Sequence, residues 1–96
     1  MIRSFRDRDT RSIFEGADTK GARRRLPTRL WRKARAKLDQ IDSATDVVQL
    51  ATPSNRLHSL AGDRAGQLAI RIDPQYRVCF EWSEGDAWNV EITDYH

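Results

Sequence analysis

Ninety-six residues, 39% hydrophobic and 32% charged, suit one globular domain over residues 1–96 and leave too little chain for a second core. The single cysteine, Cys79, excludes a disulfide within the chain and fits a reducing compartment, and no stretch approaches the roughly 20 apolar residues that a membrane-spanning helix requires. The net charge of +3 conceals a split: residues 1–40 hold thirteen Lys/Arg against five Asp/Glu, whereas residues 41–96 hold four against nine, so the positive half could attract phosphates or an acidic protein.

The opening Met1-Ile2-Arg3-Ser4-Phe5-Arg6 lacks the apolar run of a secretory signal, so a soluble, cytoplasmic protein with no membrane contact is expected. Ile2 to Phe5 alternates like a short strand. Asp7 or Asp9 can then cap a helix through Thr10–Phe14, with Gly16 as its stop. Gly16 to Arg25 is small, polar and basic, has no core-facing stripe, and is expected to be a mobile loop. Pro27 opens the main helix, in which Leu30, Trp31, Ala34, Leu38 and Ile41 recur at helical spacing and should be buried. That leaves Arg29, Arg32, Lys33 and Lys37 towards water. Ser43 and Asp46 have the spacing of a capping box ahead of a short helical turn through Val47, Val48 and Leu50.

From Arg56 the period changes to two. Arg56–Leu60 is a candidate short strand, and Gly62–Gly66 a turn. Three alternating segments follow, carrying Leu68, Ile70 and Ile72, then Val78, Phe80 and Trp82, then Trp88, Val90 and Ile92. Turns at Asp73-Pro74-Gln75 and Glu84-Gly85-Asp86 join them into an antiparallel meander. The order predicts an α+β, two-layer sandwich: an N-terminal strand and two helices packed on an antiparallel sheet formed mainly by the C-terminal half.

A phosphate-cradling glycine loop, a Cys-x-x-Cys pair and a His-Glu-x-x-His helix are all absent, so neither a cofactor nor a metal site is expected. The polar residues left on the strand-rich half are His58, Arg71, Arg77, Asp94, Tyr95 and His96. Singly, each has a plain reading: a histidine in a strand, arginines facing water, a frayed tail. Together they suit metal-free RNA cleavage. Histidine and carboxylate can move protons near neutral pH, arginine can neutralise a crowded phosphate, and tyrosine offers a ring for an unpaired base. As the last residue of the sequence, His96 would carry an α-carboxylate beside its imidazole, which favours the protonated ring.

Five blocks in order make the sequence resemble a known family: Asn55-Arg56-Leu57-His58-Ser59-Leu60, Gly62–Gln67, Ile70-Arg71-Ile72, Tyr76–Phe80, and Val90-Glu91-Ile92 through Asp94-Tyr95-His96. It resembles the HigB toxins of the RelE-like superfamily. The resemblance implies the toxin of a type II toxin–antitoxin pair, a ribosome-dependent messenger-RNA endoribonuclease, with a HigA-type helix-turn-helix antitoxin that would also carry any operator-DNA binding. It implies catalytic roles for His58, Arg77, Asp94, Tyr95 and His96, and phosphate or RNA contacts for Arg71, Arg64 and Arg56. Ala61 stands where some relatives have lysine, removing one positive charge; a slower cleavage or altered codon preference is expected. Arg23, Arg24, Arg25, Arg29, Arg32, Lys33 and Lys37 are candidates for an antitoxin or ribosome contact. Two other classes remain open: a binding poison of DNA gyrase like the ParE relatives, and a non-catalytic RNA-binding subunit.

Overall fold

The computed structural model describes residues 1–95. Asp7 is the first cap: its carboxylate accepts from the Thr10 N–H (2.6 Å) and the Thr10 hydroxyl (2.9 Å), starting α1 at Arg8–Glu15. Gly16, at φ +79°, ends α1, and the N–H groups of Gly16 and Ala17 close on the Ile13 and Ser12 carbonyls. The stretch expected to be a mobile loop instead contains α2, Lys20–Arg25, capped by the Thr19 hydroxyl (3.0 Å to the Ala22 N–H). A six-residue helix offers few inward positions, and here only Ala22 is buried, so no stripe marks it in the sequence. Gly21 lies against α1, where a β-carbon would collide with the Asp9 carboxylate.

Pro27 leads into a 3-10 turn, Thr28–Leu30, that continues as α3, Trp31–Ser43. Leu30, Ala34, Leu38 and Ile41 are buried as the spacing requires, while Trp31 donates its ring N–H to the Leu26 carbonyl (2.8 Å). Lys37 departs from expectation. It lies at the margin of the buried stripe and is only 6% exposed, its ammonium bonded to Asn55 Oδ1 and Ser54 Oγ. Burial, aided by the nearby Lys33 charge, lowers its pKa. The following 3-10 turn, Val47–Leu50, is capped by Asp46 and answered by Gln49, whereas Ser43 bonds back to the Asp39 carbonyl inside α3.

Strands β1 (His58–Ser59), β2 (Leu68–Arg71), β3 (Tyr76–Ser83) and β4 (Asp86–Asp94) form an antiparallel sheet in sequential order. The first is two residues rather than the expected five, because Arg56 at φ +47° turns the backbone just before it. Ile70, Ile72, Val78, Phe80, Val90 and Ile92 meet α1 and α3 in the core, giving the expected α+β sandwich of two layers. Trp88 does not follow its predicted phase. Cys79 pairs with Glu91 and Glu81 with Trp88, so Asn89 and Val90 together oppose Phe80. Asn89, at φ +52°, is the extra residue of this β-bulge, and it turns Trp88 to the other face, where it is 41% exposed.

The same bulge breaks the N-terminal strand. Ile2 to Phe5 makes two parallel bridges, Ile2 with Ala87 and Phe5 with Val90, rather than a continuous ladder, because the Asn89 N–H turns to Ser4 Oγ (2.8 Å). Further along the edge of β4, the buried Ile92 N–H donates to Thr10 Oγ1 (3.0 Å) and the Ile92 carbonyl accepts from Arg25 (3.3 Å). Thr10→Val preserves shape but strands the Ile92 N–H and removes the bond to Asp7. It is expected to cost roughly 1–3 kcal/mol, read as a lower urea midpoint with an unchanged slope, while Thr10→Ser stays close to wild type.

Candidate functional site

The helices cover one face of the sheet, and period-two alternation sends the other set of side chains to the open face. His58 pairs with Ala69, Arg71 with Arg77, and Arg77 with Thr93, and two residues beyond Thr93 on the same side comes Tyr95. These side chains surround a cleft of about 400 Å³, lined by Arg56, His58, Arg71, Arg77 and Tyr95 and walled by the turn through Asp73, Pro74, Gln75 and Tyr76. Asp73 spends its carboxylate on the turn itself, accepting from the Gln75 (2.9 Å) and Tyr76 (2.7 Å) N–H groups.

Hydrogen-bond partners define the state of the His58 ring. Its Nδ1 lies 2.8 Å from the Arg56 carbonyl, which can only accept, so Nδ1 carries the proton. Its Nε2 lies 3.2 Å from Arg77 Nη1, which can only donate, so Nε2 presents a lone pair to the cleft. Arg77 is stacked on Tyr95, its guanidinium carbon 3.4 Å from the ring centroid. Its Nε is buried without a hydrogen-bond acceptor among the described residues. Arg71 and Arg77 are directly opposite across the β2–β3 ladder, an unfavourable like-charge placement that an anion between them would relieve. Among the described residues, Arg56, Arg71 and Arg77 form no ion pair with a carboxylate, in contrast to Arg6, Arg25 and Arg64.

Other candidate residues lie elsewhere. Asp94 pairs with Tyr76 and so faces the helix side. It accepts from Gln75 Nε2 (3.2 Å to each oxygen) and borders a separate small pocket with Asp9, Arg24 and Arg25. Arg64 is not in the cleft. It bonds Glu91 (2.8 Å) and Gln67 (3.0 Å), and the Glu91 bond raises its pKa further, so its charge is already matched. His96 lies outside the described residues. Of the basic N-terminal set, Arg23 pairs with Asp18 and Arg25 with Asp7, Arg24, Arg29, Arg32 and Lys33 are exposed, and Lys37 is buried and so unavailable to a partner. Ala61 is exposed. Sequence reasoning passed over Gln75, whose carbonyl accepts from the Tyr95 N–H (2.6 Å) and whose amide holds Asp94. Nothing distinguishes it in the sequence from an ordinary turn residue.

A helical layer on one face of an antiparallel meander is an α+β fold consistent with the RelE-like toxins. A family model described as the RelE-like toxin of type II toxin–antitoxin system HigB matches residues 3–96. Endoribonuclease HigB of Proteus vulgaris is 32% identical over 96 residues, the whole of both chains. Toxin HigB-1 of Vibrio cholerae serotype O1 is 32% identical over 93 residues, 96% of this chain and 95% of the relative. The chain therefore belongs to the HigB-like toxins, the toxin half of a toxin–antitoxin pair, and its counterpart is an antitoxin. Among the described residues no helix is long and apolar enough to cross a membrane.

The geometry at His58 has a direct spectroscopic consequence, because its ring is held with the proton on Nδ1. Long-range proton–nitrogen NMR of the imidazole is expected to show Nδ1 protonated and Nε2 bare at a pH where the ring is neutral. In Arg77→Leu the Nε2 signal should move, since its donor is gone. A dominant Nε2–H form in the wild type would contradict this site geometry.

Proposed function

We propose that the protein is a ribosome-dependent messenger-RNA endoribonuclease that arrests translation and growth, and that the cleft on the open face is where RNA is cut. The observation that carries this reading is the cluster of His58, Arg77 and Tyr95, flanked by Arg56 and Arg71, with no carboxylate paired to these arginines among the described residues. The name of the Proteus vulgaris relative, an endoribonuclease, supports it.

In the proposed reaction the scissile phosphate enters between Arg71 and Arg77, and Arg77 exchanges His58 for a phosphate oxygen. His58 Nε2 then takes the proton of the 2′-hydroxyl. The 2′-oxygen attacks phosphorus, the bond from phosphorus to the 5′-oxygen breaks, and that oxygen leaves with a proton supplied by His96, which follows the cleft residue Tyr95 in the sequence; Asp94, on the other face of the sheet, takes no part in the transfer. The products are a cyclic phosphate and a 5′-hydroxyl. The Tyr95 ring, stacked on Arg77 at rest, offers a platform for a base beside the cut. Arginine charge and a histidine base meet the needs of this step without a metal or cofactor. The counterpart in this reading is a HigA-type helix-turn-helix antitoxin, which would supply operator-DNA binding, and the site of action is the translating ribosome in the cytoplasm. Exposed Arg24, Arg29, Arg32 and Lys33 offer positive charge to ribosomal RNA or to acidic residues of the antitoxin.

The test is primer extension on messenger RNA in a translating extract. Wild type is expected to produce new cuts within codons. His58→Ala and Arg77→Ala should reduce them by roughly 100-fold or more, the usual contribution of a proton-transfer or charge-stabilising group, and His96→Ala should reduce them too. Growth arrest without any cut would replace the enzyme by a binding poison.

A further inference from the structure

We propose that Lys37 and Asn55, buried behind the cleft, are positioning residues that hold His58 and Arg71 in place for the reaction. The inference rests on the ribonuclease reading for its activity measurement and on geometry for its spectroscopic one.

Asn55 is fully buried, and both its side chain and its backbone are engaged. Its Oδ1 accepts from Lys37 Nζ, and its Nδ2 donates to the Leu50 carbonyl and to Gln40 Oε1, both at 3.0 Å. Its N–H donates to the Thr52 carbonyl (3.1 Å), and its own carbonyl accepts from the Arg71 N–H (2.7 Å). The residue thus ties α3 and the turn at Leu50 directly to the strand that carries Arg71. The next residue, Arg56, is at φ +47°, a conformation that side-chain-bearing residues adopt when their surroundings force it. That turn is what directs the Arg56 carbonyl at His58 Nδ1 (2.8 Å), leaving the Nε2 lone pair for the cleft.

Lys37 supplies direction to this arrangement. Among the described residues its ammonium has no carboxylate in ion-pair range, only Asn55 Oδ1 and Ser54 Oγ (3.4 Å). An apolar side chain of similar length would fill the space without the cost of burying charge. What the ammonium adds is that it can only donate, so it fixes which end of the Asn55 amide faces α3. A flipped amide would set its NH2 against the ammonium and lose the bonds to Leu50 and Gln40. The loop from Thr52 to Arg56 would then keep its backbone bond to Arg71 but lose its side-chain anchor on the helix layer, and His58 and Arg71 would no longer be held in register with α3.

Lys37→Met tests the relay. In the intact toxin, the His58 ring is expected to lose its single Nδ1–H form in long-range proton–nitrogen spectra and show a mixture. Single-turnover messenger cleavage on programmed ribosomes should fall roughly tenfold or more, since small misplacement of a reacting group is costly. The ribosome concentration for half-maximal rate should change less than about twofold, as for a loss confined to the chemical step. Added to His58→Ala, Lys37→Met should cost almost nothing further, because it acts through the same residue. Unchanged His58 signals, or the same factor lost with and without His58, would overturn the proposal. Gln40→Ala, at an exposed position, removes one acceptor from Asn55 and should act in the same direction more weakly, which keeps the test open if Lys37→Met does not fold. Wild type that cuts no RNA would sink the ribonuclease reading alone, since the ring spectra test the relay without any cleavage.

Discussion

The outer edge of β4 is the constraint around which the N-terminal half is arranged. This strand runs through the core and ends beside the cleft, and an uncovered edge would leave a row of backbone groups without partners. Met1 to Arg6 covers Ala87 to Val90 by two parallel bridges, Thr10 covers the Ile92 N–H, and Arg25 covers the Ile92 carbonyl. Asp7 joins these pieces, because the same carboxylate caps α1, holds the Thr10 hydroxyl and pairs with Arg25 (3.5 Å). Each buried group left unmet would cost roughly 1–3 kcal/mol, a large fraction of the stability of a small domain.

Seen this way, much of the charge asymmetry of the sequence is internal. Arg3 and the N-terminal ammonium pair with Asp86, whose carboxyl they hold below its usual range, and both Arg6 and Arg64 pair with Glu91. The basic start of the chain is therefore partly spent on the acidic end, across the edge of β4. Positive charge left for a partner lies in the cleft arginines, in Arg24, Arg29, Arg32 and Lys33, and in the exposed Arg8, Arg11 and Lys20.

Periodicity made the regular elements legible. The stripe from Leu30 to Ile41, the cap at Asp7, the stop at Gly16 and the alternating strands all follow from local rules that the fold obeys. The departures occur where a contact distant in sequence decides. One left-handed residue, Asn89, shifts the phase of a strand and exposes Trp88, and no local signal distinguishes it from any other polar residue on a strand. A helix as short as α2 is fixed by packing against Asp9 rather than by its own pattern. Lys37 reads as a surface residue until Asn55, eighteen positions on, brings its acceptor.

The placing of four candidate residues in one cleft was legible for the same reason as the sheet. His58, Arg71, Arg77 and Tyr95 share the open face because they share a phase, and alternation by itself separates Asp94 from Tyr95. What alternation cannot reveal is how charges are matched: Arg64 reads like Arg71 in sequence, yet one meets Glu91 and the other faces Arg77. That difference gives the cleft its chemical character. A surface arginine is unremarkable, but two directly opposed on neighbouring strands, one stacked on a ring and touching an imidazole, form a site whose like-charge repulsion an anion would relieve. In the proposed reaction a phosphate would relieve the repulsion between Arg71 and Arg77 and free His58 Nε2 in the same movement, which would make the binding of substrate and the release of the base one event.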